Sequence, residues 1–528
     1  LQPLCPVAEK KYLNTPEMAR EKWSSKLGVV LAVAGSAIGL GNFLRFPVQA
    51  VRNGGGTFLI PYLISLVLMG IPLMWIEWTL GRRGGRYGHG SAPGIFQSIN
   101  SKNNCLKYIG LLGVFGPVVI FLYYIYIESW LLGYSIFSLL GTYHACPDQQ
   151  SMASFLRGYQ GLEKNQFFSS LGPAYFFFLV TFFTNLCIIY RGVSKGIEKV
   201  CLWAVPLLLL LGIAMMIRVL TLQPVVNQTW TPVQGLAFLW NPDFSALKDT
   251  RVWLAAAGQI FFTLSVGIGV ILTYASYLTR DSDILLSGLT AAASNEFAEV
   301  ILGSSIAIPA AFVFFGPIGI QEIAKGGAFD LAFVTMPLVL TPLPLGQFFG
   351  FLWFALLFLA GLTSSISLVQ PAVSFLEDEV HLPRQRAVIL FGLVCFILCH
   401  FPILYLSRGV LDELDFWGGT FSLVVFATTE AILFGWVLGM DKAWEEMHAG
   451  ARIRLPRIYR PVIKYVTPCF LIVILISWLS QQAASVLLLK GVAPENVPYL
   501  VLTRIMLLLL LAGLGLLIRQ AWKQKRGN

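Results

Sequence analysis

Uncharged oxygen donors recur inside the most apolar stretches of this chain: Asn42, Thr263, Asn295 and the run Thr363-Ser364-Ser365. Hydroxyls and amides of this kind, joined by free backbone carbonyls, form a hard and charge-neutral ligand set. Such a set suits a small alkali cation such as sodium better than a soft metal. A single Ser or Thr in a helix usually bonds back to its own backbone. A buried amide, as at Asn42 and Asn295, needs several partners. Four carboxyls, Glu77, Glu128, Glu299 and Glu430, also lie in apolar segments. At membrane depth each costs about 3 kcal/mol or more, so it is either a functional group or a protonated or paired structural one. Arg45 and Asp415 lie toward the ends of their segments, placed either to pair through water over a cavity or to stand as separate interfacial charges.

Free carbonyls require a break in a helix. The stretch Ala34-Gly35-Ser36-Ala37-Ile38-Gly39-Leu40-Gly41-Asn42-Phe43-Leu44-Arg45-Phe46-Pro47 supplies one inside the first apolar segment. Glycine holds a helix poorly and proline removes a donor. Uncoiled backbone at that depth survives only where it is buried in protein or lines a wet cavity. A second interrupted run, Gln259-Ile260-Phe261-Phe262-Thr263-Leu264-Ser265-Val266-Gly267-Ile268-Gly269, falls in the sixth segment. The two occupy matching positions if the chain holds two five-helix halves, about 24–220 and 251–440. Interrupted helices in matching positions point to a site at the bilayer midplane, and an odd number of helices per half inverts one repeat relative to the other.

The elements that carry these residues are membrane spans. Of 528 residues, 56% are hydrophobic and 12% charged, against about 25% charged in soluble domains. Apolar runs are expected at about 27–51, 56–80, 106–140, 174–190, 197–220, 252–279, 284–312, 346–376, 387–404, 413–439, 461–486 and 498–518. The expected fold is therefore an all-α membrane protein with 12 transmembrane helices; the alternating strands of an outer-membrane barrel are absent. The chain divides into a cytoplasmic segment 1–23, a first repeat 24–220, an extracellular loop 221–250, a second repeat 251–440, and a final helix pair with a tail, 441–528.

The net charge of +10 does not call for nucleic acid, because the bases cluster in alternate loops: Arg82/Arg83/Arg86, Arg191/Lys195/Lys199, Arg452/Arg454/Arg457/Arg460 and Lys523/Lys525/Arg526. By the positive-inside rule those loops and both termini are expected in the cytoplasm, with the chain in the inner (plasma) membrane. Loop 141–173 reads as polar and extracellular, loop 221–251 carries the lone sequon Asn227-Gln228-Thr229, and the Pro- and Gly-rich 313–345 reads as a lid folded back into the protein. The eight cysteines contain no CxxC, and Cys395 and Cys399 on one helix face lack further ligands, so they read as packing residues. Asn53-Gly54-Gly55-Gly56 lacks the Lys-Ser/Thr of a phosphate loop. No nucleophile–base pair stands out, and an enzyme is not expected.

These residues resemble the neurotransmitter:sodium symporter family. The resemblance covers nearly the whole chain and rests on Gly39–Pro47, Trp75-Ile76-Glu77-Trp78, Tyr123-Tyr124-Ile125-Tyr126-Ile127-Glu128-Ser129-Trp130, Gln259–Gly269 and Ala360–Ser365. Asp412–Trp417 and Asp441–Glu446 complete it. It implies a LeuT-type 5+5 inverted repeat with broken helices 1 and 6. It also implies two sodium sites, one from Ala37, Asn42, Thr263 and Asn295 with the substrate carboxylate, the other from Gly35, Ile38, Ala360, Thr363 and Ser364. An α-amino acid would lie among Ala37, Leu40, Gly41, Ile120, Tyr124, Phe262, Thr263, Ser265, Ile268, Ser364 and Leu368. Its carboxylate would meet the Leu40 and Gly41 amides, where a half-helix N-terminus favours an anion. Ile120, Ile268 and Leu368 stand where the family's leucine transporter has Val, Phe and Ile, and Ser36 stands in place of an Asn beside the break. The pocket stays apolar, which implies a neutral, hydrophobic amino acid.

Glu299 stands where chloride-dependent relatives carry Ser, which implies chloride-independent transport. An outer gate would form from Arg45 and Asp415 with Gln259 nearby, and an inner one from Arg20 and Asp378 with Trp23, Ser276 and Tyr277. The resemblance implies a sodium-coupled symporter, monomer or homodimer. A sodium-dependent receptor that binds an amino acid without transporting it is the alternative.

Overall fold

The computed structural model describes residues 21–527. The described chain is helical throughout, and ten of its helices are long and apolar enough to cross a membrane, eleven when one bent pair is counted as a span. The bent pair is α1 (Lys26–Ala37) and α2 (Gly41–Arg52), with 46° between them. The long helices α3 (Gly56–Arg86), α4 (Leu106–Leu140), α5 (Gly172–Tyr190) and α6 (Val193–Leu220) follow. The sixth apolar segment is two helices, α7 (Thr250–Thr263) and α8 (Val270–Ala275), neither long enough to span alone. Then come α9 (Ile284–Gly326), α10 (Gly346–Asp378), α11 (Arg384–Leu404), α12 (Val410–His448), α13 (Tyr459–Gln481) and α14 (Val497–Gln524).

Charged residues stop the hydropathy signal before they stop the helix. The segment expected to end at 80 continues to Arg86, and that expected at 413–439 runs from Val410 to His448. The segment expected at 284–312 continues to Gly326 through a kink at Gly316 (φ 68°). The apolar loop beyond it folds inward as a helix, Ala328–Leu340, whose Phe333 ring lies 4.9 Å from Tyr134. Loop 141–173 is less polar in space than in sequence. It forms the helix Gln149–Tyr159, capped by Asp148, whose carboxyl is held below its usual range by the Ser151 hydrogen bonds. Phe155, Tyr159 and Phe168 from this loop are buried against the end of α4.

The site is positioned by an inner bundle. α4 lies along α10, and α1 packs against α6, α9 and α10. α3 backs both halves of the interrupted segment, α7 and α8. Helices α11, α13 and α14 stand outside this bundle and keep large apolar side chains exposed, among them Leu393, Ile397, Ile476 and Leu508. A surface of that composition fits hydrocarbon.

Candidate functional site

α1 stops because its backbone finds partners outside the helix. Ile38 leaves helical geometry at φ −73°, ψ 88°. The Asn42 side chain then bends back so that its Oδ1 accepts from Gly39 N at 2.9 Å. α2 opens with a widened turn, since the Phe46 amide reaches five residues back to the Gly41 carbonyl. Such turns free backbone groups and cluster at functional sites. A matching turn in α9 brings the Ser304 amide to the Glu299 carbonyl. The two wide turns face each other so closely that a Cβ on Gly303 would sit 2.1 Å from the Asn42 carbonyl oxygen.

The second break is held open by positive φ angles: Ser265 at 52°, Gly267 at 74° and Gly269 at 88°. Glycine takes these values without cost, whereas Ser265 is a strained exception. Its hydroxyl donates to the Ser36 carbonyl at 3.0 Å, and the Ser364 hydroxyl donates to the same oxygen at 3.2 Å. One carbonyl at the end of α1 thus ties together both breaks and α10. The Ser36 hydroxyl pairs with that of Ser367 at 2.8 Å. Glu77 accepts the Gly267 amide inside the second break. This buried carboxyl therefore has a supporting structural contact, and Glu430 lies beside it. Glu128 accepts from Asn185 at 3.1 Å, and Asn185 in turn accepts from Ser365 at 2.7 Å.

Between the breaks lies a narrow cavity with about 40 Å³ of room for water-molecule centres. Its walls include Ala37, Leu40, Gly41, Ile120, Tyr124, Phe262, Thr263, Ser265, Ile268, Ser364 and Leu368. Ser36, Gly39, Asn42, Gly419 and Leu423 complete them. Gly419 and Leu423 were not foreseen from sequence, because they come from α12, which carries no break. At one end the Leu40 amide donates to the Tyr124 hydroxyl at 3.3 Å. That places an N–H and an O–H together where a carboxylate could take both. Among the described residues, no charged side chain lines the cavity.

Oxygen donors crowd beside it. Asn295 Nδ2 donates to the Thr263 hydroxyl at 2.9 Å, and Asn42 Nδ2 donates to Asn295 Oδ1 at 2.8 Å. The Oδ1 end of Asn295 also lies 3.1 Å from the Ala37 carbonyl and 3.2 Å from the Thr263 carbonyl. Turned end for end, the Asn295 amide nitrogen donates to both carbonyls and its oxygen accepts from the Thr263 hydroxyl at 2.9 Å. The set is hard, uncharged and free of thiolate or imidazole, so sodium fits it. In the other group, Thr363 Oγ1 bonds back to the Leu359 carbonyl at 3.0 Å and the Ala360 carbonyl at 3.3 Å. Gly35 abuts it: a Cβ there would come within 3.1 Å of Thr363 Cβ.

Arg45 and Asp415 make no direct ion pair, which leaves both expected arrangements open, a pair through water or two separate charges. The Arg45 guanidinium lies 4.2 Å over the Phe262 ring, and Asp415 accepts the Tyr123 hydroxyl at 2.5 Å. The Gln259 amide donates to Glu299 Oε1 at 2.7 Å, and Asn42 Nδ2 reaches Glu299 Oε2 at 3.2 Å. The half-buried Glu296 carboxyl accepts the Tyr62 hydroxyl at 2.8 Å, a pair that sequence spacing gives no hint of.

On the opposite side Trp23 donates to the Tyr274 carbonyl at 2.9 Å and packs edge-on against its ring. Tyr277 pairs with Ser374 at 3.1 Å, Ser374 donates to Asp378 at 3.3 Å, and the Ser276 hydroxyl bonds back to Thr273. Arg20 lies outside the described residues. Glu198 anchors the start of α1 by accepting from the Ser24 amide at 2.8 Å and the Ser25 amide at 3.0 Å.

Comparison with known proteins adds independent information. The model of the Sodium:neurotransmitter symporter family matches residues 20–154 and 149–519. An uncharacterized sodium-dependent transporter of Methanocaldococcus jannaschii is 33% identical over 469 residues, 86% of this chain and 89% of that protein. The sodium-dependent dopamine transporter of Bos taurus is 26% identical over 510 residues, 88% of this chain and 70% of its own length. Among solved structures, MhsT in complex with L-phenylalanine superposes with a TM-score of 0.75 at 30% identity, covering 87% of this chain and all of that one.

Proposed function

Since the chain belongs to the sodium:neurotransmitter symporter family, we propose that it is a sodium-coupled symporter importing a neutral, hydrophobic amino acid by alternating access, independently of chloride. The observation that carries this reading is the cavity between the two helix breaks. One end offers the Leu40 amide beside the Tyr124 hydroxyl, and the remaining walls are apolar at Ile120, Ile268 and Leu368. An α-carboxylate fits the first and an uncharged side chain the second. Burial of a charged side chain there would go uncompensated. The phenylalanine in MhsT is a ligand of that chemistry.

Two sodium ions would be carried as co-substrates, the first by Ala37, Asn42, Thr263 and Asn295, the second by Gly35, Ile38, Ala360, Thr363 and Ser364. The first shares Ala37 and Thr263 with the substrate cavity, so each ligand strengthens the other's site, and the coupling is reciprocal. The second joins α1 to α10. Counting α7 and α8 as one interrupted span gives twelve among the described residues, ten of them in two inverted five-helix halves and α13 and α14 outside the repeat, with the basic loops on the cytoplasmic side.

Uptake of labelled amino acids into proteoliposomes under an inward sodium gradient tests the proposal. Accumulation of an aliphatic or aromatic amino acid, abolished when the gradient is collapsed, is expected. Saturable sodium-dependent binding without accumulation would mark a receptor instead, and preference for Glu or Lys would overturn the pocket reading.

A further inference from the structure

We propose that the cleft between α12 and α13 is a binding site for the headgroup of an anionic glycerophospholipid. The cleft encloses about 590 Å³ and is bounded by the end of one helix and the start of the next. Three cations line it, Lys442, Arg460 and Lys464, against one carboxylate, Asp441. Arg460 pairs with Asp441. Among the described residues, no carboxylate forms an ion pair with Lys442 or Lys464; the Lys464 ammonium lies 5.1 Å from the Tyr465 ring.

The positive charge continues into a second cleft of about 570 Å³, which shares Lys442 and Leu438 with the first. This one adds Arg83, Lys102 and Arg280 against Glu445 and Glu446. Glu446 is already engaged by Arg82 and Arg86. The joined clefts therefore keep an excess of cations, which a phosphate diester complements.

The surroundings favour a lipid over a free ion. Trp436 and Tyr465, 47% and 52% exposed, line the first cleft, and the Trp436 indole donates to the Lys464 carbonyl at 2.7 Å. Val437 and Val466 beside them are exposed as well. Exposed aromatic side chains next to exposed aliphatic ones and lysines are the pattern of a membrane–water boundary. The cleft thus opens sideways, where a headgroup enters with its acyl chains still in the bilayer. This reading is independent of which amino acid is carried.

Delipidated full-length protein in neutral detergent should be titrated with dioleoyl-phosphatidylglycerol and with dioleoyl-phosphatidylcholine, and retained lipid read by native mass spectrometry. Phosphatidylglycerol is expected to bind about tenfold more tightly, and K442Q/K464Q should reduce it to the phosphatidylcholine level. Sodium-dependent thermal stabilisation should be unchanged in that variant, which shows that it is folded. The control R191Q/K195Q, which neutralises bases at the α5–α6 junction, should keep the preference. Equal retention of the two lipids, or equal losses in both variants, would overturn the proposal. So would displacement of phosphatidylglycerol by millimolar inorganic phosphate, which would mark a free-phosphate site.

Discussion

Glu299 and Asn42 meet across the two facing wide turns, with the Asn42 amide 3.2 Å from Glu299 Oε2 while Gln259 holds the other oxygen at 2.7 Å. Both partners are neutral. Asn42 is itself among the proposed sodium ligands, so a cation bound there would favour the ionised form of the neighbouring Glu299 carboxyl. In Glu299→Ser that charge disappears, and an added anion has room to replace it. Uptake by the wild type should be unchanged when chloride is replaced by gluconate, whereas Glu299→Ser should be inactive in gluconate and recover in chloride. Strict chloride dependence of the wild type would end this account.

Asn295 links the Thr263 hydroxyl, the Asn42 amide and two backbone carbonyls. Its loss should leave the remaining oxygens without one ligand and without their spacer. Hydrogen bonds and ligand contacts to a charged group are worth about 1.5–3 kcal/mol. Asn295→Ala should therefore raise the sodium concentration for half-maximal substrate binding by about tenfold or more. Substrate affinity at saturating sodium should fall less. An unchanged sodium dependence in scintillation-proximity binding would remove Asn295 from the site.

The sequence carried the position of both breaks, because Gly35, Gly39 and Gly41 in one and Gly267 and Gly269 in the other cannot support an apolar helix at low cost. It also carried the apolar character of the cavity, through Ile120, Ile268 and Leu368. It did not carry contacts set by how helices pack. Gln259 reads as a gate neighbour, and its hydrogen bond to Glu299 depends on how α7 packs against α9. Arg45 and Asp415 have opposite charges on suitable segments, but their contacts with the Phe262 ring and the Tyr123 hydroxyl depend on how the helices pack. The helix ends beyond the bilayer were missed because Arg82 and Arg86 end an apolar run while continuing to favour a helix.

Gly303 illustrates a residue whose role is visible only in three dimensions. Its φ is ordinary for a helix, −58°. The demand for glycine comes from the Asn42 carbonyl, which would lie 2.1 Å from an added Cβ. Because that atom is backbone, relief requires moving α2 away from α9. Gly303→Ala should cost about 1–3 kcal/mol, the range for overpacking. The thermal midpoint should fall by several degrees and the sodium-dependent part of stabilisation should shrink with it. Gly513→Ala, at a position where an added Cβ meets nothing within 4 Å, should change neither.

The guanidinium of Arg45 makes a cation–π contact with the Phe262 ring at the cavity. Phe262 lines the cavity, so the contact fixes a wall of the proposed substrate site. A desolvated contact of this type is worth about 2 kcal/mol. Arg45→Lys keeps the charge but loses the planar group that stacks, and Phe262→Leu keeps an apolar wall but loses the ring. Each alone should speed substrate dissociation several-fold. The double variant should be little worse than either, because both remove the same contact. A cycle built on dissociation rates should then show coupling of about 1–2 kcal/mol, well above the 0.3–0.5 kcal/mol scatter of independent sites. Additive effects would mean that the stacking has no share in closing the cavity, and the wall would have to be held by Arg45 through Asp415 after all.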